Sequence, residues 1–228
     1  MALTEPHGYK NSVIHKIKFF SENTSPKIGN RNDEYDVVRG NLIHKTAVVA
    51  WDKIKIGTGN IIGPFACIGT EAQHRGKKSM GCVVIGDENI FREHSTVHLP
   101  TTARSNTTIG NNNYLMVNAH VAHDCFVEDQ VTLCNNVAIG GHVHVMKGAV
   151  ISLNASIHQY QVLGSYSMIG MNTCVARTAD ILPGYTYLGV PAKKIGANRV
   201  GLRRAGATDA EMKLEFKRFS EIKASKKH

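Results

Sequence analysis

The sequence has no apolar run approaching the roughly 18 residues that a membrane-spanning helix needs, and its N-terminus carries no apolar core of the kind a secretory leader requires. Its five cysteines, Cys67, Cys82, Cys125, Cys134 and Cys174, are odd in number, scattered and never spaced as CxxC. That usage fits free thiols in a reducing compartment better than a disulfide framework. No nucleic-acid-binding module is recognisable in the basic C-terminal segment. These absences lead us to expect a cytoplasmic protein with no transmembrane segment and no nucleic-acid partner.

What the sequence does contain is a period. Stepping by six from Ile109 through Leu115, Val121, Val127 and onward to Ile181 meets thirteen positions, all Ile, Leu or Val. The same step appears upstream as Ile56-Gly57, Ile62-Gly63 and Ile68-Gly69, and again as Ile85, Phe91 and Val97, with non-repeating inserts near residues 70–83 and 99–108. Two residues before each aliphatic position the side chain is small or Val, as at Ala119, Cys125, Val131 and Ala149, with Asn113 and Gln161 as exceptions. Both positions therefore face inward.

Three alternating residues followed by three that break the alternation describe a short strand and a tight corner. Hexapeptide repeats of this kind form a β-helix in which three hexapeptides make one coil, and coils stack at about 4.7 to 4.9 Å. The predicted fold is all-β, a parallel β-helix with a short C-terminal α-helical segment. The expected organisation is an N-terminal appendage over 1–40, in which IKFF at 17–20 reads as a short strand, the β-helix over 41–190, and a basic helical tail over 191–228. Thr208 followed by Glu211 is a capping box, and Met212, Phe216, Phe219 and Ile222 form one apolar stripe behind it. From Lys193 onward, eleven Lys and Arg stand against four Asp and Glu, which suits a solvated basic helix or docking of an acidic or phosphorylated partner.

The stretch NAHVAHDC, residues 118–125, concentrates polar chemistry within this packing pattern. Val121 and Cys125 point inward, so His123 and Asp124 fall on the corner between them, and His120 faces out. One coil of eighteen residues later come Gly141 and His142, and one more brings Gln159 and Tyr160 beside His158. A stacked polar corner can be solvated and idle. This one combines an imidazole, an adjacent carboxylate able to fix its tautomer, and a glycine whose N–H is open as an oxyanion donor.

The motifs LMVNAHVAHDC (115–125), IGGHVHV (139–145), ASIHQY (155–160) and GLRRAG (201–206) resemble the UDP-N-acetylglucosamine O-acyltransferase family of lipid A synthesis, over roughly residues 42–222. The resemblance implies a left-handed β-helix assembled as a homotrimer, with active sites between neighbouring subunits. It implies that His123 is the general base, Asp124 its orienting partner and Gly141 the oxyanion donor. His98 of TVHLPT, His120, His142, His158 and Gln159 would line the acyl and sugar sites. Asn198 and Arg204 match positions that bind the nucleotide or its phosphates, with Arg203 serving donor or nucleotide. Met171 matches a glycine that, in members using long acyl chains, leaves the hydrocarbon groove open, which implies a short 3-hydroxyacyl group here.

Other positions depart from the family pattern. The insert EAQHRGKK (71–78) lacks the usual Asp-x-Lys element, Ala205 replaces an arginine, and LGVPAKKIG (188–196) looks more like the ending of sugar acetyltransferases. These departures point to a related UDP- or dTDP-linked amino sugar of lipid A or a surface polysaccharide such as O-antigen, acylated on oxygen or nitrogen. No cofactor is expected to be held permanently, and no metal. The donor would be a thioester of acyl carrier protein (ACP) or of CoA. Two alternatives remain: an acetyl-CoA-dependent sugar N- or O-acetyltransferase, and a zinc-dependent hydratase like the β-helical carbonic anhydrases.

Overall fold

In the computed structural model, which describes residues 34–76 and 78–226, the chain winds as a left-handed parallel β-helix with three flat faces. The faces hold ten, seven and six strands. The first runs from Tyr35–Val38 to Lys193–Ala197, the second from Val48–Val49 to Cys174–Val175, and the third from Ile54–Ile56 to Val162–Leu163. Strands within the regular coils are only two residues long, because the alternation lasts no longer than that before a corner intervenes. Register pairs residues eighteen apart, as in Leu115 with Leu133 and Val121 with Ile139. The IKFF segment lies outside the described residues.

All thirteen aliphatic positions from Ile109 to Ile181 are buried. Burying each Val, Leu or Ile contributes about 1.5 to 3 kcal/mol. The exception at Asn113 has its own logic: Asn41, Asn60, Asn89 and Asn113 form a buried ladder. Asn60 Nδ2 donates to Asn41 Oδ1 at 2.9 Å, Asn89 Nδ2 to Asn60 Oδ1 at 2.9 Å, and the Asn113 N–H to Asn89 Oδ1 at 2.8 Å. Amides that hand bonds along the stack satisfy most of their polar groups without water.

The corners turn through left-handed backbone. Positions spaced by six or twelve from Asn112 to Asn172 have φ near +60°, among them Asn118, Asp124, His142 and Tyr160. Asn, Asp and His tolerate this conformation better than most side chains, so the fold itself favours chemistry-bearing residues there.

Both inserts leave the helix at one corner. The first separates the strands Cys67–Thr70 and Cys82–Ile85, and the second separates Thr96–His98 and Asn106–Ile109. In each case the chain passes from the second face to the third, across the same edge that carries His123 further along. The pairing offset grows accordingly, from eighteen to 29 residues between Ile61 and Ile90, and to 24 between Cys82 and Asn106.

At the two ends the parallel rule gives way to hairpins. Tyr35–Val38 pairs antiparallel with Asn41–His44, so the residue 40/41 boundary falls in their turn, and Tyr185–Leu188 pairs antiparallel with Lys193–Ala197. The tail is thus strand before it is helix. Helix α1 (Arg199–Ala205) and helix α2 (Asp209–Ser225) follow. Thr208 Oγ1 accepts the Glu211 N–H at 3.2 Å, as the capping pattern predicts. Helix α2 lies on the β-helix through Phe219, packed with Met146, Val162, Leu182 and Ile222. Beside it the buried Glu215 accepts from Ser165 Oγ and, at 2.8 and 3.0 Å, from Arg218 Nη1. All five cysteines are free.

Candidate functional site

Asp124 organises the corner. Its left-handed backbone is anchored by its N–H donating to Thr107 Oγ1 at 2.9 Å. Its carboxylate accepts from Ser105 Oγ at 2.5 Å, Thr101 Oγ1 at 2.8 Å, the Thr101 N–H at 3.1 Å and His123 Nδ1 at 2.8 Å. Burial pushes this carboxyl up, but the bonds from Ser105, His123 and Thr101 outweigh burial and hold it below the usual carboxylate range. An ionised carboxylate can only accept, so His123 Nδ1 carries a proton, and in the neutral imidazole Nε2 then holds the lone pair. That is the tautomer of a general base.

Gly141 sits against this imidazole. A Cβ at that position would come within 2.6 Å of His123 Cε1 and 2.8 Å of Nε2, so the absence of a side chain is what lets the ring lie there. The Gly141 N–H has no acceptor among the described residues.

Around the pair the rings form a continuous series. His142 meets His123 edge-on at 5.2 Å, and its Nε2 is 3.7 Å from Asp124 Oδ2. Tyr160 stacks flat on His142 at 4.5 Å with 3° between the planes. On the other side His74, from the first insert, packs its edge on His123 at 5.7 Å.

His98 and His120 lie on the adjoining second face, 4.9 Å apart and edge to face. Burial depresses His98 to about 4, with His120 and His123 adding to the effect. Burial also lowers His120, with a further contribution from His123. Both are therefore neutral at pH 7. His120 Nδ1 is 2.7 Å from Thr96 Oγ1, whereas His98 Nδ1 is buried without a partner.

His158 and Gln159 line a cleft of about 860 Å³ beside Tyr160. The remaining candidates are elsewhere. Asn198 caps helix α1, accepting the Gly201 N–H at 3.0 Å and donating to the Tyr166 carbonyl at 2.9 Å, which places it by a different corner. Arg203 and Arg204 are exposed in the last turn of that helix. Met171, 59% exposed, stands on the third corner beside Asn172. Within one chain, then, His98, His120, His123, Asp124, Gly141 and His142 converge, with His158 and Gln159 bordering them, while Asn198, Arg203, Arg204 and Met171 do not join them.

Sequence reasoning missed Thr101 and Ser105, which fix the carboxylate, Thr107, which anchors the Asp124 N–H, and the contact of His74. A signal was present: both inserts interrupt the repeat at the phase that His123 and Asp124 occupy, so they had to border the same corner.

The donor atoms of His123, Asp124 and His142 lie within 4.8 Å of one another, a spacing that a shared cation would require. Yet Asp124 Oδ2 already receives His123 Nδ1 and both donors of Thr101. The set is committed to hydrogen bonds that orient a base.

No family model matches the chain. Among curated proteins, the acyl-[acyl-carrier-protein]–UDP-N-acetylglucosamine O-acyltransferase of Gloeothece citriformis is 41% identical over 175 residues, which is 75% of this chain and 62% of the relative. That of Synechocystis is 36% identical over 168 residues, 72% of this chain and 59% of the relative. The chain thus spans about three-fifths of the length of these proteins. Among solved structures, the UDP-N-acetylglucosamine acyltransferase of Bacteroides fragilis superposes with a TM-score of 0.70 at 33% identity, covering 76% of this chain and 68% of that one. The Moraxella catarrhalis UDP-N-acetylglucosamine O-acyltransferase gives a TM-score of 0.61 at 32% identity, over 77% and 80%.

Proposed function

The chain belongs to the UDP-N-acetylglucosamine O-acyltransferase family, and from that membership we propose that it moves an acyl group from a carrier-protein thioester to a nucleotide-linked amino sugar in the cytoplasm. The observation that carries the reading is the His123–Asp124 pair set against Gly141. His123 Nε2 takes the proton of the acceptor hydroxyl or amine as that atom attacks the thioester carbonyl. Asp124 keeps Nδ1–H in place and stabilises the imidazolium. The carbonyl oxygen gathers negative charge, which the Gly141 N–H receives. Collapse breaks the carbon–sulfur bond, and the departing thiolate recovers the proton from His123.

Neutral His98 and His120, with His142, His158 and Gln159, form the surroundings of the reacting atoms. Asn198, Arg203 and Arg204 hold the nucleotide of a neighbouring copy's site. Because they stand on another corner, they would reach a His123 site only from a neighbouring subunit, as in the homotrimer that the family resemblance implies. The thioester is consumed as a substrate, so no resident cofactor is involved. Among the described residues no helix is long and apolar enough to cross a membrane.

The test is a product assay with 3-hydroxyacyl-ACP, the matching CoA thioester and acetyl-CoA, each against UDP-N-acetylglucosamine and a panel of UDP- and dTDP-linked amino sugars. Product from a hydroxyacyl donor, with turnover lowered about 10² to 10⁴-fold in His123→Ala, is the expected result. Activity confined to acetyl-CoA would reassign the chain as an acetyltransferase, and a His123→Ala variant within a few-fold of wild type would remove His123 from the mechanism. A zinc hydratase would need the donors of His123, Asp124 and His142 released from the hydrogen bonds that occupy Asp124. Metal analysis of purified protein decides that reading.

A further inference from the structure

Beside the His123 corner, the cleft of about 860 Å³ gathers positive charge that the acyl-transfer step does not use. Arg177 stands on its rim one coil beyond Gln159, and Lys223 and Lys226 enter from the end of helix α2. Tyr160, the ring stacked on His142, forms part of its wall, so the cleft adjoins the reacting centre.

The three cations differ in how they are paired. Lys223 forms an ion pair with Asp180. The Arg177 backbone is tied down by its carbonyl, which accepts from Gln161 Nε2 at 2.9 Å, while its exposed guanidinium has no carboxylate partner among the described residues. Lys226 donates to the carbonyl of His142 and likewise lacks a carboxylate among those residues. Burial pushes its ammonium below the usual lysine range. A half-buried cation answered only by a carbonyl is poorly compensated. Here a second cation faces the same space.

We propose that this cleft is a phosphate subsite, in which Arg177 and Lys226 bind the phosphate of a substrate: either the phosphodiester of a pantetheine arm or the diphosphate of a nucleotide sugar. The choice of substrate phosphates rests on the acyl-transfer reading, and the charge arrangement does not. A guanidinium offers a planar fork that matches phosphate oxygens in pairs, and an ammonium adds a point charge. The space is of the size that ligand sites occupy. A phosphate seated there would moor one end of a substrate while its other end reached the His123 corner.

Calorimetry on the full chain tests this without turnover. The probes are 4′-phosphopantetheine and UDP, with pantetheine and uridine as their counterparts without phosphate. We expect at least one phosphorylated probe to bind about tenfold or more tightly than its counterpart, the scale of one charge-assisted contact. Arg177→Ala with Lys226→Ala should abolish that preference for 4′-phosphopantetheine or lower it about tenfold for UDP, which Arg203 and Arg204 also hold, and Arg177→Lys should restore part of it. Preference for 4′-phosphopantetheine identifies the donor as the source, and preference for UDP the acceptor. Equal binding of phosphorylated and unphosphorylated probes, or a preference unchanged in the double variant, overturns the proposal. Absence of acyl transfer in the product assay would leave this measurement standing, so the two readings fail separately.

Discussion

His123 and Gly141 are locked in shape: the imidazole occupies the space where a side chain at 141 would begin, with Cε1 only 2.6 Å from a Cβ built there. Gly141→Ala should therefore displace the ring rather than the backbone. We expect turnover to fall by about 10²-fold or more, the cost of misplacing a base by an ångström, with little change in melting temperature. Gly140→Ala is the contrast, because its Cβ would meet backbone, Gln159 N at 2.8 Å and Ile157 O at 2.9 Å. That variant should unfold more easily. Wild-type turnover in Gly141→Ala would show that the ring's position does not matter.

Asp124→Asn should be as damaging as removal of the base. The amide presents a donor where the carboxylate accepted, which favours protonation of His123 on Nε2 and removes its lone pair from the acceptor. A loss of about 10² to 10⁴ in kcat is expected with acceptor affinity retained, since the imidazole remains in place. Equal losses in kcat and in calorimetric affinity would point to a collapsed corner instead.

The low carboxyl of Asp124 and the low imidazole of His98 both make stability pH-dependent, and with the same sign. His98 titrates near 6.5 in the unfolded chain and at about 4 when folded, so the unfolded state binds more protons between these values. Its contribution is complete above pH 6.5 and is lost as pH falls toward 4, on the order of 3 kcal/mol in all. Asp124, also lowered, loses its contribution only below the ordinary carboxylate range. Denaturant titrations of wild type and His98→Gln between pH 7 and about 4 should converge as the pH drops. Parallel curves would mean that His98 is not titrating in that window.

The period of six made the inward set legible because each coil repeats one environment, so Ile109 and Ile181 solve the same packing problem. It could not show what fills the corners. A corner residue answers to backbone conformation and to whatever crosses that edge, and Thr101, Ser105 and His74 reach it from inserts that carry no repeat. Asn113 broke the small-residue rule for a reason visible only with Asn41, Asn60 and Asn89 in register, and irregular coil lengths upstream hide that register. The strand Lys193–Ala197 was unreadable because all five of its residues are exposed, leaving no alternation to detect.

Helix α2 is attached as much by charge as by its apolar stripe. Glu215, 2% exposed, accepts from Ser165 and Arg218, and Lys147 lies 3.5 Å away; Arg218 in turn donates to Glu128 at 2.8 Å, which also faces His144. Glu215→Ala leaves a cation cluster short of its buried anion and should cost about 3 kcal/mol. Hydrogen exchange should then rise across Asp209–Ser225 while the coils stay protected. Uniform protection in the variant would mean that Phe219 and its neighbours hold the helix alone.

Acyl length is set, on our reading, by Met171. The side chain is 59% exposed on the third corner, and Leu153, one coil earlier, is 39% exposed in the same column. The pair makes an apolar edge beside a second, exposed row of asparagines in which Asn136 donates to Asn154 and Asn154 to Asn172. Because that edge lies on a different corner from His123, Met171 can limit an acyl chain only where a neighbouring copy brings its own catalytic corner alongside. Thioether side chains fill such gaps readily, and each methylene denied burial forfeits about 0.8 kcal/mol. Wild type should then favour short donors near 3-hydroxybutyryl, and Met171→Gly should move the optimum toward longer ones, with Leu153→Gly shifting it less or not at all if the groove ends at 171. The readout is kcat/KM across donors from 3-hydroxybutyryl to 3-hydroxytetradecanoyl. Efficient use of the longest donor by wild type, or an unchanged profile in Met171→Gly, would assign Met171 to subunit contact and leave chain length to another residue.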